Sequence, residues 1–353
     1  MQAVVFREFG DPSVLQTDEV AVPAMGAADV LIRVAAVSVG RLLDLTARAG
    51  THPYARFQLP HILGAEHAGT VVAVGSGVDT VTVGDRVAVF PVVSCAACAA
   101  CLDGCPEACP ELEIMGVHRP GAYAQYTRVP AVTVHAVPDG IDPVTAAGLA
   151  LAGPVAQNQL TQAGLRPGDW VLVQGAASAL GSLTAALARH LGARVIGTSR
   201  CDRKRQRLLE LGVAAALDPT SDDFVDQVLE LTGGAGARIV IDDLGEEAIW
   251  DRSLAALATR GTAVSSGAFL GGKVGLDLLR LYSRCQQIVG VRTGNPASAR
   301  RLWAEVANGF RPVIDRTFPV ARAADAHRYL EASTNMGRVV LTAGSGHDWR
   351  PDR

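Results

Sequence analysis

Residues 170–200 read WVLVQGAASALGSLTAALARHLGARVIGTSR, and this stretch decides the fold of the second half of the chain. The apolar run Trp170–Gln174 predicts a buried strand, Ala179–Leu191 a helix and Arg194–Thr198 the next strand. The alternation continues with helices and strands at Asp202–Leu211, Ala214–Leu217, Asp222–Leu231, Arg238–Ile241, Glu246–Leu257, Thr262–Ser265 and Gln287–Val291. This spacing indicates βαβ units and therefore an α/β fold with a doubly wound parallel sheet.

The turn after the first of these strands has the features of a phosphate-binding turn. It runs from Gly175 to Gly181 and contains Ser178, Ala179 and Leu180 at the start of the helix. A tight glycine turn and free N–H groups at a helix N-terminus suit a pyrophosphate. The strict Gly-x-Gly-x-x-Gly pattern is incomplete, so the prediction depends on the position of the turn between a strand and a helix.

The end of the second strand bears on which dinucleotide is bound. An acidic residue there would hold the ribose 2′-OH of NAD, but Ser199 stands in its place, followed by Arg200 and, one turn later, Lys204. A small hydroxyl with nearby cations suits a 2′-phosphate, so the pattern favours NADPH over NADH. The alternative is an ordinary solvated start of a basic helix, formed by Arg200, Arg203, Lys204 and Arg205.

The first part of the chain, up to about residue 150, is predicted to be rich in β-strands. The strand candidates are Met1–Phe6, Val30–Val37, Gly69–Val74 and Arg86–Phe90. Because no helical crossovers separate them, the strands are expected to be antiparallel. The tail from about Gly294 is expected to return to this β-rich domain, with helices and a strand at Ala297–Val306, Ala323–Glu331 and Arg338–Thr342.

Composition limits the class of protein. The 353 residues are 49% hydrophobic and 19% charged, which allows a large core and makes overall disorder unexpected. The formal net charge of −3 gives no electrostatic reason to expect a nucleic acid or an anionic membrane as partner. The longest uncharged run, Pro143–Leu165, contains proline, glycines and amides and is a poor bilayer span, and the N-terminus lacks the layout of a signal peptide. We expect a soluble cytoplasmic protein with two domains.

Five of the seven cysteines fall in the run CAACAACLDGCPEAC at residues 95–109. Cys95, Cys98, Cys101 and Cys109 have spacers of two, two and seven residues, which allow four thiolates to converge on one ion. Four thiolates close a tetrahedral zinc shell and leave no open position, so the site is predicted to be structural, with one zinc per chain. Cys105 is a fifth thiol without an assigned role. The alternative to a zinc site is that the cysteines are small buried residues in an alanine-rich loop.

Together these features resemble the medium-chain dehydrogenase/reductase superfamily over nearly the whole chain. The resemblance depends on the cysteine lobe, the nucleotide turn and the segments LGAEHAG (63–69), VGDRV (83–87), GAYAQY (121–126) and GRVVL (337–341). It implies a GroES-like β-rich catalytic domain of residues 1–150 and 295–353, and a Rossmann NADP-binding domain of residues 151–294. It also implies an active site in the cleft between these domains.

The departures from the zinc alcohol dehydrogenases of this superfamily concern the catalytic metal. Those enzymes hold a catalytic zinc on a Cys, a His and a second Cys, where this chain has Arg41, Ala65 and Leu151, while Glu66 keeps its place. Alanine and leucine offer no ligand atom, and arginine is not deprotonated in proteins. The chain therefore resembles the quinone oxidoreductase and enoyl reductase branches, as does its segment LDLLRLY at 276–282.

Without a catalytic zinc, the substrate has to be electrophilic already. Zinc polarises the carbonyl or alkoxide oxygen in alcohol dehydrogenases. Hydride addition to a C=C conjugated with a carbonyl, to an iminium or to a quinone is less demanding, because hydrogen-bond donors can stabilise the enolate. We therefore expect an NADPH-dependent reductase of such a small molecule. The alternatives are a zinc-independent NADP alcohol dehydrogenase and a non-enzymatic NADPH-binding protein.

The resemblance also suggests which side chains act on the substrate. Arg41 could be an oxyanion or carboxylate clamp, or could instead be a surface arginine or one that is ion-paired, with Asp44 or Glu66 as candidate partners. His52 falls where enoyl reductases often carry an acidic tyrosine, with Tyr54 two residues on, so either could donate a proton. The alternative is that each is an ordinary loop residue. His67 could face the cleft or be a packed histidine. The candidate catalytic set is therefore Arg41, Asp44, His52, Tyr54, Glu66 and His67.

Further cofactor contacts follow from the resemblance alone. The backbone at Ser266 and Gly267 is where relatives meet the nicotinamide end, Val291 where the carboxamide is bound, and Arg338 where a basic side chain reaches the pyrophosphate. Each could be merely structural. Gln157 and Asn158 could line a polar pocket or face solvent. Relatives commonly pair around residues 272–291, so a homodimer is expected.

Overall fold

The computed structural model describes residues 1–53, 55 and 57–349, and the chain divides into two compact units. The first contains Met1–Leu151, Asn295–Asn308 and the chain from Ile314 onward, and the second contains Ala152–Gly294 and Gly309–Val313. The domain boundaries given above stay a prediction. Among the described residues, no helix has the length and hydrophobicity needed to cross a membrane.

The first unit begins as a mainly antiparallel β-structure. Its strands up to residue 151 are β1 (Gln2–Val5), β2 (Gln16–Glu19), β3 (Asp29–Val39), β4 (Glu66–Val74), β5 (Arg86–Val89), β6 (Val92–Val93), β7 (Glu113–Ile114), β8 (Tyr126–Pro130) and β9 (Val134–Ala136). The helices are a π-helical turn (Arg41–Leu45), α1 (Thr46–Ala49), α2 (Ala99–Leu102), α3 (Pro143–Leu149) and 3-10 turns at Pro12–Val14, Pro106–Ala108 and Ala131–Thr133.

The second unit is a six-stranded parallel sheet with helices between its strands. Its strands are β10 (Trp170–Val173), β11 (Arg194–Thr198), β12 (Ala215–Leu217), β13 (Ala237–Ile241), β14 (Leu257–Ser265) and β15 (Gln287–Gly290). Its helices are α4 (Ala152–Gln162), α5 (Ala179–His190), α6 (Asp202–Glu210), α7 (Phe224–Leu231), α8 (Glu247–Ala255) and α9 (Leu278–Ser283). The order β12-β11-β10-β13-β14-β15 reverses direction between β10 and β13, where open α/β sheets bind ligands.

The last part of the chain completes the larger sheet of the first unit. It contains α10 (Pro296–Ala307), β16 (Ile314–Pro319), a 3-10 turn (Val320–Arg322), α11 (Ala323–Glu331), β17 (Arg338–Thr342) and a 3-10 turn (Gly346–Trp349). β17 pairs antiparallel with β3, and the sheet order is β16-β17-β3-β4-β5-β9, with β8 also paired to β3. The sheet thus brings residues near 40, 66 and 338 together.

Each unit has its own apolar core. In the second unit, Leu172 of β10, Ile196 of β11 and Val240 of β13 are fully buried, as expected for strands covered on both faces. In the first unit, the core gathers side chains distant in sequence, such as Val34 of β3, Leu63 just before β4 and Leu341 of β17. Complete burial of such a side chain contributes about 1.5–3 kcal/mol, so these strands have a strong reason to pair in this register.

The predicted fold class is confirmed. One difference concerns β14, which begins at Leu257, where the preceding helix was predicted to end. Arg260 has a left-handed backbone (φ 60°), and the pairing of β13 with β14 shifts register between Ala237 and Ile239. This irregularity interrupts the apolar pattern, so the sequence predicted only the regular part of the strand, Thr262–Ser265.

Candidate functional site

The cysteine cluster has the geometry of a metal site. The Sγ atoms of Cys95, Cys98, Cys101 and Cys109 lie within 4.8 Å of one another. The Sγ–Sγ distances are 3.5 Å for Cys95–Cys109 and Cys98–Cys101, and 4.0 Å for Cys95–Cys101. Four convergent thiols of this kind fit a tetrahedral Zn²⁺ with no open position. Cys105 is exposed, just before the turn Pro106–Ala108, and is not part of the cluster.

The backbone prepares this cluster for thiolate charge. The amide of Cys98 donates to Cys95 Sγ at 3.3 Å, and the amide of Cys95 donates to Cys109 Sγ at 3.4 Å. Hydrogen bonds from the backbone at Ala97 and Cys98 lower the pKa of Cys95 to about 7. Ala96 takes a left-handed conformation (φ 56°), which lets the chain fold back between the first two cysteines.

The predicted nucleotide turn is closely packed. Gly175 is left-handed (φ 62°), and its amide donates to Thr198 Oγ1 at 3.0 Å, which ties the turn to the end of β11. A Cβ on Gly181 would lie 2.3 Å from the carbonyl oxygen of Gly175, so only glycine fits there. Ser178 caps α5 by accepting from the Gly181 amide at 3.0 Å. The first-turn amides at Ala179 and Leu180 have no intrahelical acceptor and suit an anion.

The end of β11 carries a small hydroxyl and cations. The Ser199 amide donates to Leu217 O at 3.0 Å, and Arg200 is exposed beyond it. Arg205 is ion-paired with Asp202 and Asp218, so this arginine of the basic helix start is neutralised. The contact of Ser199, Arg200 and Lys204 with a 2′-phosphate stays a prediction.

A polar network that was not predicted from the sequence lies at the carboxyl ends of β13 and β14. Asp243 accepts from Gln159 Nε2 at 2.8 Å, from the Ser266 amide at 2.7 Å and from Ser266 Oγ at 3.0 Å. Gln159 accepts from Thr184 Oγ1 at 2.9 Å. The adjacent pair Asp242-Asp243 directly after a buried strand was the available signal, because strand ends at this edge carry ligand-binding groups. The Val291 amide donates to Ser265 O at 2.9 Å, which keeps Val291 at the same edge.

Arg41 caps a helix. Its Nη2 donates to Leu330 O and lies 3.3 Å from both Ser333 Oγ and Asn335 Oδ1, at the C-terminal end of α11. The described hydrogen-bond partners of Arg41 are thus on the segment at the end of α11, and not Asp44 or Glu66 as the alternative interpretation held. Cations are favoured at this end of a helix, where carbonyls lack intrahelical partners. The clamp role of Arg41 stays a prediction. Ala65 and Leu151, at the other two zinc-ligand positions, are both buried.

Glu66 instead forms a buried ion pair with Arg338, which also donates to Ser38 Oγ at 2.6 Å. Asp44 accepts from the amides of Gly40 at 2.6 Å and Gly64 at 3.0 Å. Burial, aided by the Glu66 carboxylate, raises the pKa of Asp44 to about 7 despite these hydrogen bonds. A contact of Arg338 with a pyrophosphate stays a prediction, since the described partners of its guanidinium belong to the first unit.

Two histidines of the candidate set are buried. His52 Nδ1 accepts from the Ala55 amide at 3.1 Å, and burial lowers the pKa of His52. His67 is completely buried, with Nδ1 at 2.9 Å from Ala65 O, and burial lowers its pKa to about 4. Burial therefore disfavours the protonated form of both rings. Tyr54 lies outside the described residues.

The amides on α4 do not face solvent. Gln157 and Asn158 are 7% and 2% exposed, so that alternative is wrong. Asn158 Nδ2 donates to Thr293 O at 2.8 Å, and Gln157 Nε2 lies 3.3 Å from Thr161 Oγ1. Asn158 therefore ties α4 to the segment after β15.

Comparisons with known proteins agree with these features. The family "Alcohol dehydrogenase GroES-like domain" matches residues 26–139, and the family "Zinc-binding dehydrogenase" matches residues 179–308. A 2-haloacrylate reductase from Burkholderia sp is 32% identical over 97% of this chain and 98% of that protein. A mycobacterial quinone oxidoreductase structure is 31% identical, with a TM-score of 0.80, over 97% and 99% of the two chains. A structure from Sinorhizobium meliloti 1021, described as a zinc-binding dehydrogenase bound to NADP, is 28% identical, with a TM-score of 0.87, over 97% and 98%.

The chain belongs to the medium-chain dehydrogenase/reductase superfamily. It is an oxidoreductase of this superfamily, with a nucleotide-binding Rossmann-type sheet and a cluster of four cysteines suited to a structural metal.

Proposed function

We propose that this protein is an NADPH-dependent reductase that delivers hydride to an activated C=C, an iminium or a quinone without a catalytic zinc. The observation that carries the proposal is the set Arg41, Ala65 and Leu151 at the three catalytic zinc-ligand positions of the alcohol dehydrogenases. These side chains supply no donor for Zn²⁺. Glu66, the acidic residue retained beside them, is ion-paired with Arg338.

The residues proposed to bind the cofactor support the same proposal. Bound NADPH would supply the hydride, and the residues to hold it are the turn Gly175–Gly181, the end of β11 and the loop after β14. The turn fits a pyrophosphate for two reasons. Gly181 lets the turn pack closely where a Cβ would clash with the chain, and the first amides of α5, which have no intrahelical acceptor, point toward the pyrophosphate position. A single structural zinc on Cys95, Cys98, Cys101 and Cys109 completes the proposed composition.

The substrate class follows from the residues at the zinc-ligand positions and from a relative. The name 2-haloacrylate reductase denotes a reductase of an acid whose C=C is conjugated with a carboxylate. Such a substrate stabilises added hydride as an enolate, so hydrogen-bond donors can replace a Lewis acid. We propose a small conjugated acid, enone or quinone as substrate. A cytoplasmic location stays a prediction.

A substrate panel tests the function. The protein is incubated with NADPH and, in turn, an enone, 2-chloroacrylate, an iminium ion and a quinone, and NADPH oxidation is followed by its absorbance. We expect turnover of at least one of these compounds and none of simple primary alcohols with NADP. Alcohol oxidation alone would contradict the proposal in favour of an alcohol dehydrogenase, and tight NADPH binding without any turnover would favour a non-enzymatic binding protein.

Replacing Arg200 with Ser should weaken binding of NADPH about tenfold and leave NADH unchanged, because a charge-assisted hydrogen bond to the 2′-phosphate is lost. The measurement is fluorescence titration with both cofactors. Arg207→Ser is the control, since Arg207 lies on α6, the helix that follows Arg200, in an exposed pair with Glu210. Equal weakening of NADH and NADPH would argue against a 2′-phosphate contact.

His52 is the proposed proton donor after hydride transfer. His52→Gln should lower kcat about 100-fold with little change in NADPH affinity, because general acid catalysis contributes about that much or more. Steady-state kinetics and cofactor titration separate the two effects. His190→Gln, an exposed site on α5, is the control. An unchanged kcat in His52→Gln would contradict the role.

We propose a homodimer that pairs through β15. This strand is at the edge of the sheet, and the neighbouring α9 exposes Leu278, Leu279 and Tyr282 at 64–68%. Exposed apolar side chains beside an open strand edge suit a second copy of the chain. Leu279→Asp should halve the mass seen in sedimentation equilibrium, while Val132→Asp, at an exposed site elsewhere, should not. A monomeric wild type would contradict the dimer.

A further inference from the structure

The carboxyl ends of neighbouring strands define where each half of a dinucleotide can lie. The phosphate-binding turn follows β10, and Ser199 follows β11 on one side of it. β13 and β14 lie on the other side, across the point where the strand order reverses. Because a dinucleotide straddles that point, its nicotinamide half faces the residues after β13 and β14. These residues include Asp243 and Ser266.

Asp243 contributes a half-buried carboxylate to this group of residues. Its side chain accepts three hydrogen bonds, two from Ser266 and one from Gln159. Gln159 Nε2 also donates to Ser266 Oγ, so Asp243, Gln159 and Ser266 form a closed triangle. Thr184 Oγ1 donates to Gln159 Oε1 at 2.9 Å and fixes the orientation of the amide.

The network joins four elements at this edge of the sheet. Gln159 lies on α4, Thr184 on α5, Asp243 after β13 and Ser266 after β14. Thr184 and Gln159 are completely buried. Such a network favours one local geometry, because a rearrangement would leave a buried polar atom of Gln159 or Thr184 unpaired. The hydrogen bonds of this network therefore hold the backbone at Ser266 in place.

Charge and close packing single out Asp243 within the network. Burial raises the pKa of Asp243, and the hydrogen bonds from Ser266 and Gln159 oppose that rise. A Cβ built on Gly267 would lie 2.9 Å from the Asp243 carbonyl oxygen, so the loop after β14 lies directly against this residue. The loop cannot shift toward β13, and its orientation depends on the carboxylate.

We propose that Asp243 is a positioning residue for the nicotinamide half of the cofactor, acting through the amide and hydroxyl of Ser266. The inference rests on the proposed use of NADPH. It assigns to Asp243 and Gln159 no contact with substrate. Their function is to hold the loop at Ser266 and Gly267 in the conformation that receives the nicotinamide ring.

The decisive test compares two ligands that share the adenosine half. One is NADPH, and the other is adenosine 2′,5′-bisphosphate, which lacks the nicotinamide. Asp243→Asn should bind NADPH about tenfold more weakly than the wild type, because the new amide nitrogen faces the donor of Gln159. Affinity for adenosine 2′,5′-bisphosphate, measured by calorimetry, should stay unchanged. The exposed Asp226→Asn on α7 should leave both affinities unchanged.

A second variant restores the network with opposite polarity. It combines Gln159→Glu with Asp243→Asn, so that the carboxylate introduced on α4 accepts from the amide introduced after β13 and from Thr184. NADPH affinity should return to within about threefold of the wild type. This rescue separates positioning from a general loss of packing.

The outcomes distinguish this inference from the proposed function. Unchanged NADPH affinity in Asp243→Asn, or an equal loss for both ligands without rescue in the double variant, would overturn the positioning role alone. Failure of the wild type to bind NADPH would overturn the proposed function and this inference with it. A loss confined to NADPH, rescued by the double variant, supports the positioning role.

Discussion

Replacing Cys109 with Ser is expected to remove zinc from the protein and to unfold the lobe of residues 95–109. Cys109 is the most buried of the four thiols, and its sulfur lies 3.5 Å from that of Cys95. A three-thiolate site binds Zn²⁺ far more weakly, and the binding energy of a structural zinc is also folding energy. We expect zinc to fall from about one per chain to none, with more than about 4 kcal/mol lost in unfolding free energy.

The control for this prediction lies in the same loop. Cys105→Ser removes an exposed thiol outside the cluster and should retain both zinc and stability. Metal analysis by mass spectrometry and urea unfolding measure the two quantities. Zinc retained in Cys109→Ser, or zinc lost equally in Cys105→Ser, would contradict the ligand assignment.

Replacing Gly181 with Ala is expected to abolish measurable NADPH binding, with a loss of at least about 100-fold. The new Cβ would lie 2.3 Å from the carbonyl oxygen of Gly175, and backbone at both ends of the turn would have to move. The moved turn would no longer direct the first amides of α5 at a pyrophosphate, where charge-assisted hydrogen bonds are strongest.

Gly346→Ala provides the comparison, because a Cβ there meets open space. Isothermal titration with NADPH measures the affinity, and circular dichroism checks that the sheet is retained. NADPH binding by Gly181→Ala within about threefold of the wild type would show that the turn does not hold the cofactor.

Strands in both sheets could be predicted where their signals are local. Arg194–Thr198 and Arg338–Thr342 have the predicted bounds, since apolar runs between turn residues are enough to define a buried strand. β16 was missed, because Ile314–Pro319 contains Asp315 and Arg316 and is paired only along β17. Its strand conformation depends on a partner rather than on its own pattern.

The site was predictable where spacing alone encodes it. The two-residue spacers between Cys95, Cys98 and Cys101 bring these thiols together with little help from the rest of the fold, and the cluster forms as expected. The partners of Arg41 were not predictable, because Leu330 and Asn335 are nearly 300 residues away in sequence and meet it only through the pairing of β17 with β3.

The measurement that tests the central claim most directly is a metal count on a sample whose turnover is measured at the same time. Protein with one zinc per chain, held by the cysteine lobe, should oxidise NADPH with an activated alkene or quinone at full rate, and added zinc should not increase that rate. The account would be contradicted by a second zinc per chain that is required for turnover. It would be contradicted in particular if removing this zinc abolished alcohol oxidation and adding it back restored that activity.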